Sequence, residues 1–283
     1  MSSIGEIYRK TVLMFREAGI GEAEAEAKVL LAHVQGCGLS QLCLRFFDEC
    51  KSIPEIEEAA AKRLKGTPLA YILGEKDFYG RAFTVDDRVL IPRFDTESVV
   101  FRALELIRQN GYRTALDLCC GSGAIGITLC VEGKLERVDF ADASDGALCV
   151  TEINCRKYLP HGIYNLKQGD LFQPVTGTYD MIVSNPPYIS ASDFEELEPL
   201  VREQEPKMAL LAEEEGYVFY RRIASQAEKY LKPNGALVLE IGDMQAEKVC
   251  KLLWNAGFVE VKSGCDLAGR PRWVSAYLAV GAR

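Results

Sequence analysis

Residues 114–129, Thr-Ala-Leu-Asp-Leu-Cys-Cys-Gly-Ser-Gly-Ala-Ile-Gly-Ile-Thr-Leu, restrict the fold more than any other part of the chain. An apolar run, a glycine turn and a second apolar run describe a strand, a tight turn and a helix. The glycines let the backbone come close to a ligand, and the helix that follows offers unpaired N–H groups at its start. Such a unit belongs to an α/β sheet whose ligands sit at the carboxyl ends of parallel strands. Gly121, Gly123 and Gly126 satisfy G-x-G-x-x-G, which by itself also fits a dinucleotide site.

The acids that follow separate the two ligands. Asp117 lies at the strand end, four residues before Gly121. A carboxylate there can meet the ammonium of the methionine moiety of S-adenosylmethionine (SAM), whereas it would repel a pyrophosphate. The next strand, residues 137–142, ends in Asp142, 19 residues after Gly123. That distance suits a carboxylate accepting both hydroxyls of a ribose; Asp139, inside the strand, is the weaker candidate. A third short strand starts at Tyr164 and ends in Gly169-Asp170. Acids at three successive strand ends are more specific than any one of them. No later segment supplies groups for hydride transfer, so the series favours SAM.

Residues 179–189, Tyr-Asp-Met-Ile-Val-Ser-Asn-Pro-Pro-Tyr-Ile, read as a strand covered on both faces that runs into a rigid turn. Asn185 presents one acceptor oxygen and two donors. Pro186 and Pro187 have no N–H, so the turn offers carbonyl oxygens there, and Pro186 pushes Asn185 toward an extended backbone. Tyr188 supplies an aromatic wall. The set suits a planar –NH2 group: two N–H bonds are accepted while a ring lies against the flat face.

This turn is similar to the Asn/Asp-Pro-Pro-Tyr turn of methyltransferases that act on amide or exocyclic amino nitrogens. Three further runs narrow the resemblance: Tyr71-Ile72-Leu73-Gly74, Leu90-Ile91-Pro92-Arg93-Phe94-Asp95-Thr96-Glu97, and Asp266-Leu267-Ala268-Gly269-Arg270. With them the chain resembles the HemK/PrmC family, the N5-glutamine methyltransferases of peptide chain release factors, over about residues 67–280. The family has proline where this chain has Phe94, and glycine where it has Cys119. The resemblance implies a class I SAM-dependent methyltransferase, an α/β Rossmann-like fold with a seven-stranded, mostly parallel sheet. It assigns Asp117, the turn Cys119, Cys120, Gly121, Ser122 and Gly123, then Asp142, Asp170, Leu171 and Asn185 to SAM, with Asp170 at the adenine amino group. Asn185, Pro186, Pro187 and Tyr188 bind the substrate, with Asn185, Pro186 and Tyr188 as the catalytic group. S-adenosyl-L-homocysteine is then the product. The implied partner is a class 1 release factor, methylated on the glutamine of its Gly-Gly-Gln motif.

Ahead of these motifs, residues 1–73 read as a helical substrate-recognition domain. Helices are expected from residue 4 to Gly19 or Gly21, from Glu22 to Val34, briefly after a Ser40 cap, and from Glu55 to Lys65, with Pro54 at a tolerated first turn. Residues 74–88 have β-type residues around Gly80 and are expected to form a hairpin linker; residues 89–283 are the methyltransferase domain. The acidic stretch 190–215 reads as a mobile lid over the acceptor site. A helix is expected over 216–231, closed by Lys232-Pro233-Asn234-Gly235, then a strand over 236–241, a helix over 245–256, and paired strands over 258–262 and 273–280. Arg93, Asp95 and Glu97 also fit a capped helix start, and Arg270 and Arg272 have no specific role.

With 48% hydrophobic residues in 283, the chain can bury a sizeable core. No apolar run approaches the roughly 18 to 20 residues that span a bilayer, and the N-terminus lacks a signal-peptide pattern; a cytoplasmic monomer is expected. The ten cysteines form no C-x-x-C pair and accompany two histidines, so reduced core thiols are expected and no metal site. A net charge of −8 argues against a broad electrostatic grip on nucleic acid. It disfavours a DNA N6-adenine methyltransferase, although an exocyclic amine satisfies the same acceptors. A ribosomal-protein glutamine methyltransferase shares the chemistry, and a silent SAM-binding protein would not need the intact Asp117, Asp142 and Asn185.

Overall fold

A computed structural model describes residues 2–279. Met1 and the end of the last expected strand, Val280, lie outside the described residues. The chain divides into two compact units, residues 1–74 and 75–283.

The first unit is helical: α1 (Ile4–Glu17), α2 (Ala23–Val34), α3 (Leu39–Leu44), α4 (Ile53–Leu64) and α5 (Leu69–Leu73). Ser3 starts α1 with a reciprocal cap, its hydroxyl accepting from the Glu6 N–H while Glu6 accepts from the Ser3 N–H. Ile4, Ile7, Val12 and Phe15 then fall on one face and pack with Leu30 and Leu31 of α2. Arg63 of α4 is buried and donates through two nitrogens to Glu26 of α2, at 2.5 and 3.0 Å. The third helix differs from expectation: Gly38 precedes its first residue, so Ser40 sits inside the first turn. The fifth helix is an addition: Pro68 stands directly before its first residue, Leu69.

In the second unit, β1 (Glu75–Phe78) and β2 (Arg81–Thr84) form an antiparallel hairpin about Tyr79-Gly80. A 3-10 turn, Phe94–Thr96, leads into α6 (Glu97–Asn110). Alternation follows: β3 (Thr114–Leu118), α7 (Ala124–Gly133), β4 (Arg137–Asp142), α8 (Asp145–Tyr158), β5 (Tyr164–Gln168) and β6 (Tyr179–Ser184). The stretch after β6 holds four short helices, α9 (Ala191–Glu196), α10 (Pro199–Gln204), α11 (Lys207–Leu210) and α12 (Glu213–Gly216). Then come α13 (Val218–Gln226), β7 (Leu231–Glu240), α14 (Ala246–Asn255), β8 (Phe258–Cys265) and β9 (Pro271–Leu278). The seven-stranded sheet has the order β5-β4-β3-β6-β7-β9-β8, parallel except where β9 runs against both neighbours. This is the class I methyltransferase architecture.

Alternation within the strands gives the sheet two apolar faces. Ala115, Met181, Val183 and Val238 pack with α6, α7 and α8; Leu116, Ile182, Leu237 and Leu239 pack with α13 and α14. Lys232–Gly235 does not close a helix as expected. A 3-10 turn, residues 227–230, ends that helix earlier, and residues 232–235 form an unpaired excursion at the start of β7, where the register slips. Among the cysteines, Cys50, Cys120, Cys130 and Cys155 are buried as expected, but Cys43, Cys149 and Cys265 are exposed. No helix among the described residues is long and apolar enough to cross a membrane.

Candidate active site

The sheet changes direction between β3 and β6. The chain leaves β3 for β4 on one side and returns through β6 on the other, so the loops after β3 and β6 part at a switch point. Leu118 pairs with Ser184, and the Ser184 hydroxyl donates to the Leu118 carbonyl at 2.6 Å.

The turn after β3 passes through left-handed backbone at Cys119 (φ 59°), Gly121 (φ 55°) and Gly123 (φ 77°). Such φ values favour glycine, so Cys119 holds its place at a cost in backbone strain. The turn is fastened from behind. The Gly121 N–H donates to Asp142 at 3.0 Å, and the Thr151 hydroxyl donates to the Gly121 carbonyl at 2.8 Å. The buried Asn154 amide donates to the carbonyls of Ser122 and Thr84, each at 2.9 Å, and accepts from the Thr84 N–H at 2.7 Å. Asn154 thereby ties the hairpin to the glycine turn, a role its sequence position does not signal.

A cavity opens above these strand ends. Of the residues assigned from sequence, Cys119, Cys120, Gly121, Ser122, Asp142, Asp170, Leu171, Asn185 and Pro187 line it; Asp117, Gly123, Pro186 and Tyr188 do not. Asp117 is buried, 1% exposed, and its Oδ2 accepts from the Gly126 N–H at 2.8 Å, while Oδ1 has no partner among the described residues. Burial holds its carboxyl well above the usual carboxylate range. It sits behind the turn, and Gly126 is required there: a Cβ would fall 2.5 Å from Phe140 and 2.9 Å from Asp117. Asp142 accepts from the N–H groups of Gly121 and Ser144 and faces the cavity; burial raises its pKa. Asp170 is engaged by Arg222 at 2.5 Å, and that guanidinium lies 5.8 Å over the ring of Phe219, another wall of the cavity.

These residues fit SAM. Asp142 keeps lone pairs for a diol after its two backbone bonds, Leu171 and Phe219 offer apolar surface to a ring, and the glycine turn leaves room beside the main chain. Among the described residues the Asn185 amide has no protein hydrogen-bond partner, and it faces the same space. Tyr188 turns away: its hydroxyl donates to the buried Glu240 at 3.3 Å, and its carbonyl accepts from Gln245 at 3.0 Å.

The stretch over 190–215, expected as a mobile lid, is a run of short helices. Glu205, its side chain 2% exposed, accepts from the Ile91 N–H at 3.2 Å and pairs with Arg93. Pro206, Met208 and Ala209 thereby join Leu90, Pro92 and Thr96 in the cavity wall. Asp95 pairs with Arg270 at 3.1 Å and Arg272 at 3.2 Å, and Glu97 accepts from the Tyr79 N–H at 2.8 Å. The two arginines anchor the start of α6. Among the described residues no cluster of three or more His, Cys, Asp or Glu could hold a metal.

Residues 93–203 match the methyltransferase small domain and residues 6–74 the PrmC N-terminal domain. The chain is 37% identical to the release factor glutamine methyltransferase of Cereibacter sphaeroides, over 95% of this chain and 96% of that protein. It spans about half of the bifunctional methyltransferase of Rickettsia typhi, at 34% identity over 90% of this chain and 54% of that protein. A methyltransferase crystal structure from Pyrococcus furiosus shares the fold, with TM-score 0.55 at 16% identity, covering 79% of this chain and all of that one. The geometry of the glycine turn and the Asn-Pro-Pro-Tyr turn agrees with these likenesses, and the chain belongs to the release factor glutamine methyltransferase family.

Proposed function

We propose that Asn185 and the Pro186 carbonyl hold the acceptor of this SAM-dependent glutamine methyltransferase, the side-chain amide of a glutamine in a peptide chain release factor. The observation that carries this assignment is the position of Asn185: it directly follows β6, lines the cavity beside the glycine turn and, among the described residues, keeps its amide free of protein partners.

SAM supplies an electrophilic methyl on a sulfonium. The chain's own task is to make a poor nucleophile present itself, because an amide nitrogen shares its lone pair with the carbonyl. Asn185 Oδ1 and the Pro186 carbonyl accept the two amide hydrogens, raise the electron density on nitrogen and aim it. Tyr188, which turns away from the cavity, serves the acceptor by holding the turn rather than by lying against the amide. One proton leaves nitrogen after transfer and passes to solvent, so no histidine base is needed. We place the acceptor glutamine in the Gly-Gly-Gln motif of class 1 release factors, and the protein in the cytoplasm as a monomer.

A DNA adenine acceptor is disfavoured by the net charge of −8. The test uses radiolabelled SAM, the purified protein and a class 1 release factor, with Gln→Ala in the acceptor loop as control. Label on the release factor that vanishes in the control supports the assignment. SAM binding without label moves the search to ribosomal proteins and then DNA. Asn185→Ala is expected to abolish transfer while SAM affinity stays within about threefold, since the loss is confined to acceptor orientation; equal loss of both would overturn the role.

A further inference from the structure

Among the described residues, five buried side-chain atoms lack a hydrogen-bond partner: Thr96 Oγ1, Asp117 Oδ1, Glu240 Oε2, Asp266 Oδ2 and Arg272 Nε. Native proteins bond nearly all such atoms, so their placement is informative. Asp117 is apart from the rest. Thr96, Glu240 and Arg272 face one another, and Asp266 Oδ2 lies 3.5 Å from Arg272. The group is centred on Glu240, which is 2% exposed at the end of β7. Register places it beside the acceptor turn: Ser184 pairs with Leu239, so Glu240 is level with Asn185.

The Thr96 hydroxyl faces the Glu240 carboxyl from the start of α6, and the Tyr188 hydroxyl donates to it at 3.3 Å. The other end of that residue is also held, by Gln245 at the Tyr188 carbonyl. Gln245 is itself oriented, its Oε1 accepting from the Gly242 N–H at 2.9 Å and lying 3.0 Å from the Tyr220 hydroxyl. The six residues from Glu240 to Gln245 therefore clamp Tyr188 at both ends. A buried carboxylate with an unbonded oxygen is unfavourable. A contact that served packing alone would be met by an apolar or neutral side chain.

We infer that Glu240 is a positioning residue for methyl transfer, which acts through Tyr188 to fix the Asn185-Pro186-Pro187 turn. The two prolines have restricted backbones, so a displacement of Tyr188 is passed to Asn185 rather than absorbed between them. The inference rests on the assignment of this turn as the acceptor site. The groups that face Glu240 are Tyr188 from the turn, Arg272 from β9, Thr96 and Asp95 from the start of α6, and Tyr220 from α13. Burial raises the Glu240 carboxyl to about 7. An ionised acceptor holds a hydroxyl more firmly than a neutral one, so the clamp is strongest above that pH.

The experiment compares wild type with Glu240→Ala, Glu240→Gln, Tyr188→Phe, the Tyr188→Phe/Glu240→Ala pair and Asn185→Ala, using SAM and purified release factor. Glu240→Ala and Tyr188→Phe are each expected to lower kcat about 10- to 100-fold, with SAM affinity little changed, and the pair to be no worse than either alone. Glu240→Gln keeps an acceptor oxygen and restores most of the rate. Its profile is expected to be flat between about pH 6 and 8, while wild type falls toward it on acidification. Unchanged kcat in Glu240→Ala, additive losses in the pair, or a parallel loss of SAM binding would overturn the inference. If Glu240→Ala does not fold, the Gln profile and the Tyr188→Phe comparison decide it. Asn185→Ala separates the two levels: retained activity there refutes the acceptor assignment itself, whereas an inactive Asn185→Ala beside a normal Glu240→Ala refutes only the role of Glu240.

Discussion

The Ser184 hydroxyl donates to the Leu118 carbonyl at 2.6 Å, joining the last residues of β6 and β3 where the acceptor turn and the glycine turn leave the sheet. Both residues are wholly buried, so no water replaces this bond if it is lost. Ser184→Ala is expected to destabilise the second unit by about 1–3 kcal/mol through the stranded carbonyl. Because the bond lies under both turns, SAM affinity and kcat should fall together. Calorimetric binding with steady-state kinetics checks this; a change in only one would show that the turns are held independently.

Gly126 lies in the first turn of α7 with its α-carbon against Phe140 and Asp117. Gly126→Ala places a methyl 2.5 Å from a ring carbon and 2.9 Å from a carboxylate oxygen, neither of which can withdraw within the packed sheet. The expected loss is about 1–3 kcal/mol or more from overpacking, with weaker SAM binding as α7 shifts the turn. An unchanged denaturation midpoint would contradict the close packing.

Cys119 holds a φ of 59° that disfavours an L side chain. Cys119→Gly removes that strain, at some loss from the freer unfolded chain, for a net gain of about 0.5–1 kcal/mol. Cys119→Val is expected to change stability in the opposite direction, since a β-branched residue tolerates this conformation least. Thermal melts of both variants give the sign directly.

Glu240 also makes stability depend on pH. Its folded pKa, about 7, lies above its ordinary value of 4.5, so the folded protein binds a proton that the unfolded chain has released. Its contribution is complete below about pH 4.5 and is lost as pH rises through about 7, a difference of about 3 kcal/mol. Glu240→Gln has no such titration. Denaturant unfolding near pH 5 and near pH 8 should show the variant gaining on wild type at the higher pH; a constant difference would refute the raised pKa.

The elements that a local pattern encodes were readable in advance. The seven strands, the glycine turn, the hairpin about Gly80 and the acids at the ends of β4 and β5 all depend on neighbours a few residues away. Composition misled where charge met burial. The acidic stretch 190–215 reads as a mobile lid, yet Glu205 within it is buried because Arg93 and the Ile91 N–H, more than a hundred residues earlier, donate to its carboxylate. Lys232–Gly235 keeps its turn character inside β7, as an unpaired excursion with Asn234 at a φ of 62°, because β6 pairs only with Leu231 and then with Ala236 onward.

The sequence by itself determined the alternation of strands and helices, the residue types at the strand ends and the rigidity of the Asn-Pro-Pro-Tyr turn, since periodicity and proline act within short spans of chain. Only the tertiary structure decided which of those residues meet a ligand. Asp117 turns behind the glycine turn to bond Gly126, and Tyr188 turns back to Glu240, 52 residues later in the chain. Both outcomes follow from hydrogen bonds and burial that exist only once the strands are side by side.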